Sequence, residues 1–395
     1  MDERVIFHLD VDYFYVACEL LRRPDLHNKP VAVTQFNSGG FVAVNEVARQ
    51  CGIRKGDGIG AAGQAAISFF KDRPDALMPA VMKRCPDLIV LPMDTTYYRQ
   101  CTSSILQHLR HAPCWKNSSK GVVIEKSSMD DFYIDATEHV RYRQTLLQAQ
   151  LSRNPNHQKH QGKKQYDVNY DAETFASASE ADSDTDEEDS TKLATNATNA
   201  TTAYSSPSIL RPFQPSPCPT FLDVTSLYAT STTDTTKSPP VRFPDPKLRG
   251  PTPSNLALAA AIIAHELRSH VRRVTGGITL SCGIGDTKLT ARLISKRSGQ
   301  PNSQTLLLPN QKSSLLRVVP IRQVPTLRQM QGALLTSTFN ITTLSEIAEK
   351  CTANEIVKAL GVQMERAEQI LRWSHGIDHR KVIERGPPQS ISVEK

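Results

Sequence analysis

Four aspartates in two short phrases are the residues of this chain best suited to chemistry: Asp10-Val11-Asp12, closing an apolar run, and Asp130-Asp131, between two further apolar runs. A carboxylate at a strand's end in an α/β layer reaches solvent with little burial. Were the two strands to lie side by side, Asp10 would meet the Asp130-Asp131 pair. Unit charges about 4 Å apart repel by about 4 kcal/mol at an effective dielectric near 20, so such a cluster needs cations or raised pKa values. Hard oxygen ligands with open positions suit Mg²⁺, which keeps waters and takes phosphate oxygens as its remaining partners. Two such ions would stabilise the attacking and leaving oxygens of an in-line phosphoryl transfer. Either acidic pair alone reads more simply as solvated turn residues. The rest of the chain decides between the two readings.

The elements that must position these acids can be read from periodicity. Residues 5–9 have strand length, and an amphipathic helix over 14–23 follows, stopped by Pro24. Residues 30–34 and 40–44 read as strands around the turn 37–39, with helices over 46–51 and 79–84 and a strand at 88–92 beyond. A helix at 96–109 precedes a hairpin of 122–125 and 132–135, with the acidic pair just before its second arm. Later come a helix over 256–271, a strand at 278–284, a helix over 287–296 and a strand at 305–308. From 312 onward the pattern is helical, near 327–335, 344–350, 353–360 and 364–373. Strands and helices in alternation imply a mixed α/β layer with an all-α region behind it.

Between about residues 141 and 253 the composition turns polar, with the acid block 180–189 and a Pro-Ser-Thr-rich tract. Such a segment cannot bury enough apolar area to offset chain ordering and is expected to be disordered. Over all 395 residues the net charge is +7, compatible with a polyanionic partner. No apolar run approaches the roughly 20 residues that span a bilayer, and the charged start is unlike a signal peptide. Eight cysteines without a Cys-x-x-Cys pair argue against a disulfide framework and a zinc ribbon. Membrane, secreted and disulfide-stapled classes are therefore not expected.

Residues 7–19, Phe-His-Leu-Asp-Val-Asp-Tyr-Phe-Tyr-Val-Ala-Cys-Glu, closely resemble the first motif of Y-family (translesion) DNA polymerases. Pro30-Val31-Ala32-Val33 with Asn45-Glu46-Val47-Ala48-Arg49 is similar to their fingers motif. Cys85-Pro86-Asp87-Leu88, Tyr98-Arg99 and Ser128-Met129-Asp130-Asp131-Phe132-Tyr133-Ile134-Asp135 follow in family order. Gly283-Ile284 to Lys288, and Gln300-Pro301-Asn302-Ser303-Gln304-Thr305, resemble the last palm motif. Gly386-Pro387-Pro388-Gln389-Ser390-Ile391-Ser392 is similar to the iota branch, favoured here, whereas the phrase 35–40 is closer to eta.

The resemblance implies an α/β right-hand palm with a fingers subdomain, an all-α thumb, a long disordered insert in the palm, and a missing little-finger domain. The palm would comprise residues 1–22, 92–140 and 254–309, the fingers 23–91, the insert 141–253 and the helix-hairpin-helix-like thumb 310–388, with 389–395 a truncated start of the little finger. Asp10, Asp130 and Asp131 would be catalytic and would ligate two Mg²⁺, with Mn²⁺ as a substitute and the Val11 carbonyl as a further ligand. Asp131 stands where Glu is usual, and Asp12 fits either a structural or a ligating role. Tyr13, Phe14, Tyr15, Arg49 and Gln300 would form the nucleotide site, Tyr15 as the steric gate against a ribose 2′-hydroxyl and Phe14 also as a core residue. Arg49 matches phosphate in a fork geometry.

Three departures touch nucleotide binding: Glu46 where Tyr is usual, Asp131 for Glu, and Gln300 for Lys. In the thumb, Val324-Pro325-Thr326-Leu327-Arg328 replaces the glycine-rich hairpin, leaving Arg322 and Arg328 to meet DNA phosphates. The expected enzyme is a nuclear DNA-directed DNA polymerase acting on primer-template DNA and deoxynucleoside triphosphates, with a sliding clamp and other translesion factors as partners and no membrane. The alternative is a catalytically weakened DNA-binding scaffold of the same fold.

Overall fold

The computed structural model describes residues 4–34, 40–58, 74–115, 121–153, 255–295, 301–325, 327 and 330–384. Strand β1 (Ile6–Val11) lies at the centre of a five-stranded sheet with β5 (Val123–Lys126), β6 (Asp131–Asp135), β7 (Leu280–Gly285) and β8 (Gln304–Leu306), in the order β5-β6-β1-β7-β8. β1 is antiparallel to both neighbours, so residues 10 and 131 are opposite each other, as are 8 and 133. Because side chains alternate along a strand, Phe7, Leu9 and Val11 point to one face and Ile6, His8 and Asp10 to the other.

The first face is the core. Helices α4 (Thr95–Arg110), α5 (Thr137–Arg153) and α6 (Asn255–Val274) cover it, and Leu9, Phe132, Ile134, Ile105 and Leu267 are buried there together. Each fully buried side chain of this size contributes about 1.5–3 kcal/mol. Residues 141–153, expected to belong to the insert, are helical in α5. Leu147 is buried and Arg143 makes a two-pronged ion pair with Glu266 of α6 at 3.0 and 2.7 Å. The polar composition misled because only one stripe of this helix needs to be apolar when a neighbouring helix covers it. The rest of the proposed insert, 154–253, lies outside the described residues.

The second face carries α7 (Lys288–Ser295). It comes unusually close because β7 presents glycine there: a Cβ on Gly283 would lie 2.0 Å from the Ala291 carbonyl oxygen, and one on Gly285 2.8 Å from the Ala291 nitrogen. His8, Asp10, Glu125, Asp131 and Tyr133 share this face by register. It is a polar layer between sheet and helix.

After β1 the chain turns through Tyr13, in the left-handed conformation (φ 48°), into α1 (Phe14–Arg22). The fingers follow: a small sheet of β2 (Val31–Thr34), β3 (Phe41–Val44) and β4 (Ile89–Pro92), ordered β3-β2-β4, with α2 (Glu46–Gln50) and α3 (Met78–Arg84) over Phe41, Val44 and Ile53. The turn at 37–39 lies outside the described residues. The thumb is helical, α8 (Lys312–Val318), α9 (Met330–Phe339), α10 (Leu344–Lys350), α11 (Ala353–Leu360) and α12 (Met364–Ser374), around Leu316, Ile321, Ile347 and Trp373. Thr352 and Glu355 form a capping box at the start of α11, and Gly361 ends it at φ 63°, which is why its bounds match the sequence reading.

Candidate active site

The two acidic phrases meet. Asp10 faces Asp131 across β1 and β6, and the Val11 N–H donates to the Asp130 carbonyl at 2.9 Å. Ser128 builds the turn: its hydroxyl donates to Asp130 Oδ1 at 2.5 Å and accepts the Asp131 N–H at 3.1 Å. Asp130 is half-buried at the end of the hairpin.

Asp12, which the sequence left between two roles, is held as a structural carboxylate. The Ser281 hydroxyl donates to Oδ1 at 2.5 Å and the Asn302 N–H to Oδ2 at 2.7 Å. Burial raises its pKa, and those hydrogen bonds act against the rise. Asp131 is also strongly engaged. Arg292 Nη1 donates to its Oδ2 at 2.9 Å, and His8 Nε2 lies 3.2 Å from Oδ1. Burial works to raise the Asp131 pKa, but the imidazole and guanidinium overrule it and hold the carboxyl well below the usual range. Removing one partner from a buried pair of this kind costs about 3–5 kcal/mol. The Ser295 hydroxyl donates to the Arg292 carbonyl at 2.9 Å and lies 2.8 Å from His8 Nδ1, which fixes the ring.

Sequence reasoning missed His8 and Arg292 as site residues. The available signal was the pair Lys288 and Arg292, four apart on a short helix against a strand with alternating acids. Lys288 Nζ meets the fully buried Glu125 at 2.7 Å, one layer along from Arg292 and Asp131.

Tyr15 is half-buried on α1, edge-on to Phe14 and Tyr98 with ring centroids 5.2 Å away in each case. Burial, and then the negative charge of Asp130, push its hydroxyl pKa up, so this ring sits within electrostatic reach of the acids. The Phe14 side chain is in the core, leaving its backbone for any contact with a nucleotide. From the fingers side, Asn45 caps α2: its Oδ1 accepts from Ala48 N and Val31 N, each at 3.0 Å, and Nδ2 donates to the Lys29 carbonyl at 2.7 Å. This lock aims Glu46 and Arg49 at Tyr13. The Tyr13 hydroxyl donates to Glu46 at 2.7 Å, and the Arg49 guanidinium stands 5.0 Å from the Tyr13 ring centroid. Arg49 Nε is buried with no hydrogen-bond partner among the described residues. Arg322 is exposed in the thumb, while Gln300 and Arg328 lie outside the described residues.

Among the described residues, no group of three or more His, Cys, Asp or Glu side chains is arranged to hold a metal. Asp10 and Asp130 nevertheless fit Mg²⁺, which is bound through one or two carboxylates and substrate phosphates rather than a closed protein cage.

A five-stranded sheet with clustered acids, a separate three-stranded sheet and a helical C-terminal region make up a right-hand α/β fold. Residues 9–296 match the impB/mucB/samB family, and the chain belongs to that family, the Y-family of DNA polymerases. It is 23% identical over its whole length to DNA polymerase eta of Drosophila melanogaster, covering 37% of that protein. It is 24% identical over 99% of its length to DNA polymerase iota of Homo sapiens, covering 38% of it. A segment covering 35% of the chain is 29% identical to DNA polymerase IV of Nitrosopumilus maritimus and spans 33% of that protein. The chain therefore spans about a third of the length of these curated relatives. These near-equal identities do not separate the iota from the eta branch. Among solved structures, the insertion ternary complex of Dbh DNA polymerase superposes with a TM-score of 0.52 at 16% identity, over 96% of this chain and 69% of that one, which shows a shared fold.

Proposed function

We propose that the chain performs template-directed DNA synthesis past damaged bases, extending a primer with deoxynucleoside triphosphates. The observation that carries this reading is the convergence of the two acidic phrases, Asp10 opposite Asp131 and the Val11 N–H on the Asp130 carbonyl, with Tyr15 within electrostatic reach of Asp130 and Arg49 beside Tyr13. Asp10, Asp130 and the Val11 carbonyl are the groups assigned to Mg²⁺ or Mn²⁺. Two such ions, when bound, supply charge neutralisation at the attacking and leaving oxygens. The primer 3′-hydroxyl attacks the α-phosphate, gives up its proton, and pyrophosphate leaves.

The chain's own residues bind and orient. Arg49, its Nε without a hydrogen-bond partner among the described residues, offers its guanidinium to the triphosphate, with Tyr13 and Gln300 as neighbours. Tyr15 fills the space a ribose 2′-hydroxyl would need. Arg322 and Arg328 meet duplex phosphates in the thumb. A sliding clamp, other translesion factors and a nuclear location belong to this reading through the family.

The second reading, a DNA-bound scaffold with a weakened site, is favoured by two contacts: Glu46 holding the Tyr13 hydroxyl, and Arg292 holding Asp131. A primer-extension assay on templates of defined sequence, with Mg²⁺ and then Mn²⁺, distinguishes them. Polymerase function predicts incorporation of the template's complement by the natural chain. Synthesis only after Glu46→Tyr and Gln300→Lys together would establish the scaffold. Incorporation without any template would refute both.

A further inference from the structure

We propose that Tyr98, its hydroxyl clasped by Glu19, is a positioning residue that sets how strictly this chain rejects ribonucleotides, by denying the Tyr15 ring room to retreat. This rests on the polymerase reading, with Tyr15 as the ring beneath the incoming sugar. Tyr15 is half-buried on α1, and Tyr98 of α4 meets it edge-on, with ring centroids 5.2 Å apart and planes at 69°. Tyr98 itself is fully buried, so it has no solvent to swing into. Its hydroxyl donates to Glu19 Oε1 at 2.8 Å, which anchors the ring at its far end as well as at its own backbone.

The clasp is a closed ladder between two helices. Glu19 lies one turn beyond Tyr15 on α1, so Tyr98 can touch both. The Arg22 guanidinium holds Glu19 as well, with Nε 3.0 Å from Oε2 and Nη2 2.7 Å from Oε1. Arg22 Nη1 then donates to Asp94 at 2.9 Å, and Asp94 caps α4 by accepting the Tyr97 N–H at 3.0 Å. Residues 94 and 98 of α4 thus grip residues 22 and 19 of α1, about a turn apart on each helix. Glu19 is fully buried with its charge answered by Arg22. A buried polar set of this kind is often no more stabilising than apolar packing, and what it adds here is one defined ring position. Burial, and then the bond to Glu19, push the Tyr98 hydroxyl pKa up, so it stays a donor at neutral pH. The same helix reaches the acids. Thr102, one turn beyond Tyr98, donates at 2.8 Å to the carbonyl of Met129, the neighbour of Asp130. One helix therefore fixes the Tyr15 ring relative to the acidic turn.

Single-nucleotide incorporation by the full chain, with a deoxynucleoside triphosphate and the matching ribonucleoside triphosphate, tests this through the ratio of their kcat/KM values. Tyr98→Leu removes the ring edge and the hydroxyl together. It should lower that ratio by about tenfold while changing deoxynucleotide kcat/KM by less than about threefold. Because Tyr98 acts through Tyr15, the same change in a Tyr15→Ala background should lower the ratio no further. Equal losses with both sugars, or a further fall in that background, would overturn the proposal. Should thermal unfolding show that Tyr98→Leu does not fold, Tyr98→Phe decides, since it keeps the ring packing and deletes only the bond to Glu19. A fall in the ratio of about threefold supports the clasp, and an unchanged ratio overturns it. Failure of the underlying reading is visible separately. The unaltered chain would then show no templated incorporation, or Tyr15→Ala would leave the ratio unchanged.

Discussion

Tyr15 on α1 and Glu46 at the start of α2 would make opposite demands on an incoming nucleotide. Tyr15 is braced edge-on by Phe14 and Tyr98 and cannot easily retreat. Tyr15→Ala should therefore admit ribonucleotides, lowering discrimination against them by about tenfold or more in single-nucleotide incorporation. Glu46 accepts the Tyr13 hydroxyl but remains an exposed anion near the arginine expected to hold phosphate. Glu46→Gln keeps an acceptor for Tyr13 and removes the repulsion, which at close range in water amounts to about 1 kcal/mol, or roughly a fivefold fall in nucleotide KM. An unchanged KM would show that Glu46 is turned fully away. At this scale types and spacing singled out the two acidic phrases, and the register of β1 with β6 brings them together. It was silent about partners. Asp12 and Asp131 look like their neighbours in a string of letters, and only the register of β1 with β6 and β7 shows that Ser281, Asn302, His8 and Arg292 engage them.

The element that organises the site is α7, and its closeness to β7 depends on two glycines. Gly283→Ala would drive a methyl group into the Ala291 carbonyl, so the helix must shift or the strand bend. A loss of about 1–3 kcal/mol or more in urea unfolding is expected, and Arg292 should move with the helix. Neutral stability would mean that α7 is not packed as described. Strand and helix positions were largely legible, because apolar runs and turn residues carry them; 344–350 and 353–360 match α10 and α11 residue for residue. Helix α5 was not legible. Its exposed side is as polar as a linker, and the contact that orders it, Arg143 with Glu266, joins residues far apart in the chain.

Across the whole molecule, the segment after α12 ties the thumb to the palm. The Asp378 carboxylate accepts the Leu289 N–H at the start of α7 at 3.1 Å and pairs with Arg380 at 2.8 Å, while the Ile383 N–H reaches Glu125 at 3.1 Å. Burial works to raise the Asp378 pKa, yet its hydrogen bonds and the charge of Arg380 hold it below the usual range. A depressed folded pKa contributes stability above the unfolded value near 3.9, and that contribution is lost as pH falls through the folded value. Asp378→Asn should thus cost about 1–2 kcal/mol at pH 6, after allowance for the partly exposed Arg380, and flatten the acid limb of the stability profile. An acid limb identical to that of the unaltered chain would exclude the tie. The alternation of strands and helices followed by an all-helical region was legible in the sequence, whereas this cross-tie was not, since an extended strap has no periodicity to read.

Single-nucleotide primer extension by the chain and by Asp10→Asn and Asp130→Asn, at matched Mg²⁺ and with folding checked by thermal unfolding, tests the central claim most directly. The account predicts Mg²⁺-dependent incorporation by the unaltered chain, with folded variants slowed by a factor of about 10³ or more. Incorporation that survives in either folded variant would contradict the assignment of that aspartate to the reacting centre.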